Sequence, residues 1–241
     1  MPGLGSIIKI NAAAIVAAGL AGCLMGSRIP SRIQDSLMTA NALAVLFLGI
    51  GGAMAGMLRI SGSSLATHGT VMMVVSLAAG AVIGEIIDLE KQFTRFGEWL
   101  KKRTGNAKDQ NFVNAFVTAS LTVCIGAMAV IGSIQDGMYG DHSILISKAL
   151  MDFIIILVMS ASMGKGCAFS AVPVLLLQGG MTLLARVLQP FMTDAAMASL
   201  SCVGSVLIFC VGVNLLFGKR IRVANLLPAL LVAVAFAVLP G

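Results

Sequence analysis

Lys148 and Asp152 are the two residues best placed to do chemistry. Both lie in the apolar run Ser143 to Gly164. At i and i+4 they share one face of a helix. Asp152 sits nine residues into that run, about 13.5 Å along a helix and near the middle of a bilayer core about 30 Å thick. A charge at that depth costs several kcal/mol and normally faces a bundle interior. Two readings follow. The pair neutralises itself and holds the fold, or Asp152 takes up a proton or cation during transport with Lys148 tuning it. Other apolar runs carry Gln178 near mid-run, Asn11 and Asn114 near their starts, and Glu85 about one turn inside an end. With Lys148 and Asp152 these form a candidate transport pathway. Gln135, Asp136 and Asp141 belong to a polar, acidic segment. It reads either as a tight Gly-Asp turn or as an external vestibule that attracts cations.

The elements that must position these groups are membrane helices. Of the 241 residues, 58% are hydrophobic before any Gly is counted, and 11% are charged. Soluble domains run about 45–50% apolar with Gly included and about 25% charged. A soluble enzyme, a disordered chain and a disulfide scaffold are excluded. The expected class is an all-α polytopic membrane protein of about eight spans of roughly 20 residues. They run from Ser6 to Gly26, Ser36 to Met57, His68 to Asp88, Phe112 to Ile134, Ser143 to Gly164, Ala168 to Leu188, Ala196 to Phe217 and Val223 to Leu239. The last is the shortest and carries Pro228. Net charge is +6. Arg28, Arg32, the basic residues of 91–108, Lys165, Lys219, Arg220 and Arg222 fall on one side. The positive-inside rule makes that side cytoplasmic and puts both termini outside. Arg186 is expected to snorkel to the outer interface.

An internal repeat is visible. Asn11-Ala12 matches Asn114-Ala115, Gly26-Ser27 matches Gly132-Ser133, Ser36-Leu37 matches Ser143-Ile144, and Asn41 matches Lys148. Thr70 and Gly80 match Ser170 and Gly180. Each unit holds three helices, an odd number, so the second must be inverted. Such 3+3 inverted repeats recur in secondary transporters, whose site lies at mid-membrane between the units. The expected divisions are 1–88 for the first repeat, 89–111 for a cytoplasmic amphipathic helix and linker, 112–190 for the second repeat, and 191–241 for a C-terminal helix pair. Within 89–100 the apolar residues Leu89, Phe93, Phe96, Trp99 and Leu100 have helical spacing, as in a helix lying on the inner membrane surface. Asp88 and Glu90 beside it read as solvated. Gly51-Gly52, Gly80 to Gly84 and Gly179-Gly180 are either transport-site interruptions or close helix packing of the GxxxG kind. The same spacing would suit a homodimer.

Cys23, Cys124, Cys167, Cys202 and Cys210 form no CxxC pair, and His68 and His142 are far apart. The expectation is no metal, no cofactor and no disulfide. The fifteen Met read as adaptable packing. No phosphate loop, nucleophile elbow or HExxH motif is present, so no enzyme is expected. No nucleic-acid motif accompanies the positive charge.

Gly84-Glu85-Ile86 with Leu89-Glu90-Lys91, the run from Gly132 through Gln135-Asp136-Gly137-Met138 and Gly140-Asp141 to Ser143-Ile144-Leu145, Lys148-Ala149, Asp152-Phe153 and Asn225 to Leu230 make a recognisable set. In these the chain resembles the YqgA/YdfK-like family of bacterial inner-membrane proteins, over almost its whole length. His142 and Met151 depart from the family pattern. The resemblance implies a multi-pass inner-membrane location and includes Lys148, Asp152 and the Gln-Asp-Gly segment. It implies no substrate. The expected function is a secondary transporter or channel for a small polar or ionic solute, proton- or cation-coupled. The alternative is a non-transporting scaffold or regulatory protein, whose interior polar groups should be fully paired.

Overall fold

The structure is a computed structural model. It describes residues 6–26, 28–61, 64–124, 127–184, 187 and 189–238. Ser27 and Arg186, and the C-terminal end of the eighth expected span, lie outside the described residues. The helices are α1 (Ser6–Gly26), α2 (Ser31–Met57), α3 (Thr70–Ile87), α4 (Leu89–Arg103), α5 (Phe112–Cys124), α6 (Ala127–Tyr139), α7 (Ser143–Met163), α8 (Ala171–Leu183), α9 (Asp194–Phe217) and α10 (Pro228–Val238). Short 3-10 turns at Lys165–Ser170, Gln189–Phe191 and Val223–Leu226 join some of them. Between α2 and α3 a small antiparallel hairpin pairs β1 (Leu58–Ser61) with β2 (Ser64–Thr67), Leu58 opposite Thr67.

Among the described residues six helical segments are long and apolar enough to cross a membrane: α1, α2, α3, α7, α8 with its leading 3-10 turn, and α9. This is an all-α membrane protein with a minor hairpin. The eight expected spans are corrected at two places. The fourth comprises α5 and α6, whose described parts lie at 74° to one another on either side of residues 125–126, as in a broken span. The eighth is short, a 3-10 turn followed by the 11 residues of α10. Pro228 explains that break: it has no N–H to continue a helix from upstream but starts one readily.

The chain divides into two compact units, neither continuous in sequence. The first takes residues 1–42, 91–124 and 128–188. Its main packing is α1 on α7, running parallel, with Gly22 and Gly26 along the seam and Gly19 against Ala168 of the 3-10 turn that follows α7. A Cβ at Gly22 would collide with the Leu157 carbonyl, and one at Gly26 with the Ala161 carbonyl. Small residues let the backbones touch, which is how helices gain contact where lipid supplies no hydrophobic drive. Leu100 of α4 is buried, and Phe96 meets Phe116 of α5 edge-on at 5.8 Å. α4 therefore packs part of its apolar face on protein, while Trp99 stays half exposed.

The second unit takes residues 43–90, 125–127 and 189–241. Here Gly49, Gly52 and Gly56 of α2 fit against Phe209, Ser205 and Cys202 of α9, and Gly80 and Gly84 of α3 against Ala229 and Asn225. Both pairs run antiparallel. The GxxxG spacings serve close packing in the structure. Gly51, Gly179 and Gly180 meet nothing within 4 Å.

Candidate functional site

Four of the expected pathway residues meet inside the first unit. Asn11, Lys148, Asp152 and Gln178 come from α1, α7 and α8 and are 0%, 6%, 4% and 1% exposed. Lys148 Nζ lies 2.8 and 2.6 Å from the two Asp152 carboxylate oxygens. Its remaining hydrogen bond goes to the Val123 carbonyl at 2.7 Å. That carbonyl belongs to the last turn of α5, where a helix leaves its C=O groups unpaired and its dipole is negative. The last described turn of α5 thus supplies the third acceptor of a buried ammonium. The helix pattern of the sequence runs straight through this point, so the carbonyl was not legible there.

Asn11 Nδ2 donates to Asp152 Oδ2 and to Gln178 Oε1, both at 3.2 Å. The two amides tie α1 and α8 to the carboxylate on α7. Asn11 Oδ1 and Gln178 Nε2 are buried without a hydrogen-bond partner among the described residues. Buried polar atoms are nearly always paired, so an unpaired acceptor and donor beside an ion pair mark a place that can hold a polar guest. The ion pair carries no net charge, and each of its members is fully bonded within the chain.

The other expected pathway residues are elsewhere. Asn114 is exposed on α5, and its match to buried Asn11 does not extend to surroundings. Glu85 is exposed in the second unit, where Arg222 Nη1 donates to it at 2.9 Å. Glu90 is buried there rather than solvated. Its backbone N–H donates to Asn225 Oδ1 at 2.7 Å, and Lys219 Nζ lies 2.6 Å from its carboxylate. This network fixes the turn before α10.

The expected vestibule divides as well. Gln135 and Asp136 are helical, in α6, and the turn itself is Gly140 to His142, with Gly140 at φ 66°. Asp136 is buried and lies 2.6 Å from His142 Nδ1. Gln135 is partly buried and Asp141 is exposed. Its carboxylate accepts from the backbone N–H and hydroxyl of Ser143, capping the start of α7. These bonds hold the Asp141 carboxyl below its ordinary value of 3.8. A depressed carboxyl stabilises the fold above the unfolded value, and that contribution is lost as pH falls through the folded one. Asp141→Ala is therefore expected to lower the unfolding temperature at neutral pH, with the gap to wild type closing on acidification below 3.8. Thermal unfolding of both proteins across that range checks it.

Among the described residues no cluster of three or more His, Cys, Asp or Glu is arranged to hold a metal. One further polar contact joins α8 to α6: Thr182 Oγ1 donates to the Ser133 carbonyl at 3.0 Å.

Residues 5–238 match the family described as "Protein of unknown function (DUF554)". The chain is 30% identical to "Uncharacterized protein YqgA" of Escherichia coli (strain K12) over 228 residues, 93% of this chain and 92% of the relative. It is 28% identical to "Uncharacterized membrane protein YdfK" of Bacillus subtilis (strain 168) over 222 residues, 92% and 91% of the two chains. No solved structure matches. With residues 5–238 matched and polar residues gathered among apolar helices, the chain belongs to the family described as DUF554.

Proposed function

We propose that this protein is a secondary transporter or channel for a small polar or ionic solute, proton- or cation-coupled, and not an enzyme. Its site is the cluster of Asn11, Lys148, Asp152 and Gln178. One observation carries the reading. A buried ion pair sits against the Val123 carbonyl in the last described turn of α5, beside an amide acceptor and an amide donor that have no partner among the described residues. Broken helices whose C-terminal carbonyls face a cation at mid-membrane are how transporter folds build binding sites. A scaffold would be expected to close its interior hydrogen bonds.

The finer parts of the reading concern architecture and location. Residues 1–88 and 112–190 form inverted repeats, with 191–241 appended. The sequence correspondences support this, although Asn114 and Gly180 have surroundings unlike those of Asn11 and Gly80. The protein lies in the bacterial inner membrane with both termini outside. Its partners are the lipid bilayer and the solute, and a homodimer is compatible with its exposed apolar helix faces. It uses no cofactor and binds no nucleic acid.

Uptake by protein reconstituted in liposomes, across a panel of small ionic and polar solutes, tests the function. Asp152→Asn keeps an acceptor for Lys148 and is expected to fold but to abolish uptake. A wild type that moves no solute under any gradient would favour the scaffold reading.

A further inference from the structure

We propose that Asp136 and His142 form a proton-exchange site that delivers protons to Asp152 from the membrane face bearing the Gly140–His142 turn. The use of that proton rests on the transport reading above; its arrival does not.

The Asp136 side chain is 0% exposed and the His142 side chain 20%. Apart from His142, neither Asp136 oxygen has a partner among the described residues. A buried carboxylate with a single partner stays ionised only if that partner is charged. The pair therefore holds one shared proton, on the imidazole or on the carboxyl. The partly exposed ring connects it to solvent, and an imidazole can accept a proton at one nitrogen while releasing another.

The charged groups around the pair are few. Asp141 adjoins His142 but is engaged with Ser143. Lys9 is exposed on α1, next to Ile8, which belongs to one buried cluster with Leu145. Lys148 lies further along α7. The described helices α5 and α8 contribute no charged residue.

A polar stripe leads inward from the pair. Ser133 is one turn from Asp136 on α6. Thr182 of α8 donates to its carbonyl, and Gln178 is one turn from Thr182 on the same face. Gln178 Oε1 accepts from Asn11, which also donates to Asp152. The unpaired Gln178 Nε2 and Asn11 Oδ1 lie on this line, at positions where bridging water can bond.

The step balances. The shared proton passes from His142 Nδ1 to an Asp136 oxygen and on to water in the stripe, leaving a carboxylate and a neutral imidazole; the remaining ring proton moves from Nε2 to Nδ1 by exchange with solvent, and an external proton binds the vacated Nε2. Asp152 takes up one proton and becomes neutral. The outer pair returns to its starting state, and Lys148 keeps its charge and its bond to Val123.

The test uses the full chain in lipid vesicles. The face carrying the turn is given an acid jump, and the carbonyl band of protonated Asp152 is followed in the infrared, with Asp152→Asn to assign it. His142→Ala is expected to slow the rise by about tenfold or more, and imidazole in the buffer to restore it. Asp136→Asn is expected to slow it without imidazole rescue. An unchanged rate in either variant, a slow His142→Ala that imidazole fails to restore, or an Asp152 that never protonates would each overturn the proposal. Protonation with the expected dependence but no solute uptake would support the delivery route while removing the transport reading.

Discussion

Lys148→Met is expected to destabilise the protein by about 3–5 kcal/mol, whereas Lys148→Met combined with Asp152→Leu is expected to recover most of that loss. The single change strands a carboxylate that is 4% exposed, with only the Asn11 amide left to bond it. It also removes the ammonium from the Val123 carbonyl at the end of α5. The double change removes the stranded charge and leaves only neutral polar groups short of partners. A buried ion pair of this kind is costly to break and cheap to replace. Thermal unfolding in detergent, run as a double-mutant cycle, measures the coupling. Losses that simply add would show that the two side chains act independently. The double variant is also expected to transport nothing, so stability and function separate in one protein.

Gly22→Val is expected to be among the most damaging single changes that remove no polar side chain. The added carbons meet the Leu157 carbonyl and, at 2.8 Å, the Ser160 Cβ. Both are held by α7, so the helices must separate. Overpacking typically costs about 1–3 kcal/mol, and backbone contacts put this case at the upper end. Separation of α1 from α7 also draws Asn11 away from Asp152, so activity is expected to fall further than stability does. Gly84→Val is expected to act alike in the second unit, where the Asn225 carbonyl stands in the way. Gly179→Ala is the control. Nothing lies within 4 Å of its added carbon, and replacing a helical Gly is expected to gain up to about 1 kcal/mol. A Gly22→Val protein that unfolds like wild type would refute the packing account.

The sequence announces some of this plainly. Apolar run lengths place α1, α2, α3, α7 and α9 closely, because the bilayer imposes one length on every span. The i, i+4 spacing of Lys148 and Asp152 puts them on one face, and burial inside apolar helices follows from the cost of exposing them to lipid. Asn11 and Gln178 join them because amides in such runs seek polar partners.

What was not legible depends on breaks and on packing between distant segments. The end of α5 has no Pro to mark it, so the Val123 carbonyl that meets Lys148 and the bend to α6 are invisible in hydropathy. Asp136 resembles a turn residue because Gly137 and Gly140 flank it, yet the turn begins only at Gly140. Its pairing with His142 depends on how α6 and α7 fold back across that turn. Glu90 looks solvated because three neighbours are charged or polar, but Asn225, over a hundred residues away, buries it. Glu85 is grouped with Asp152 by its depth and Asn114 by its repeat match to Asn11, and neither says which way a helix face turns.

Water access to Gln178 is the most direct probe of the central claim. In a background with Cys23, Cys124, Cys167, Cys202 and Cys210 replaced by Ala, a single Gln178→Cys is treated with a small membrane-impermeant thiol reagent. Leu176→Cys, on the exposed apolar side of α8, serves as the comparison. The account expects Gln178→Cys to be labelled in the membrane and Leu176→Cys to be inert. A Gln178→Cys as inert as Leu176→Cys would contradict it, because a site that water never reaches carries no solute.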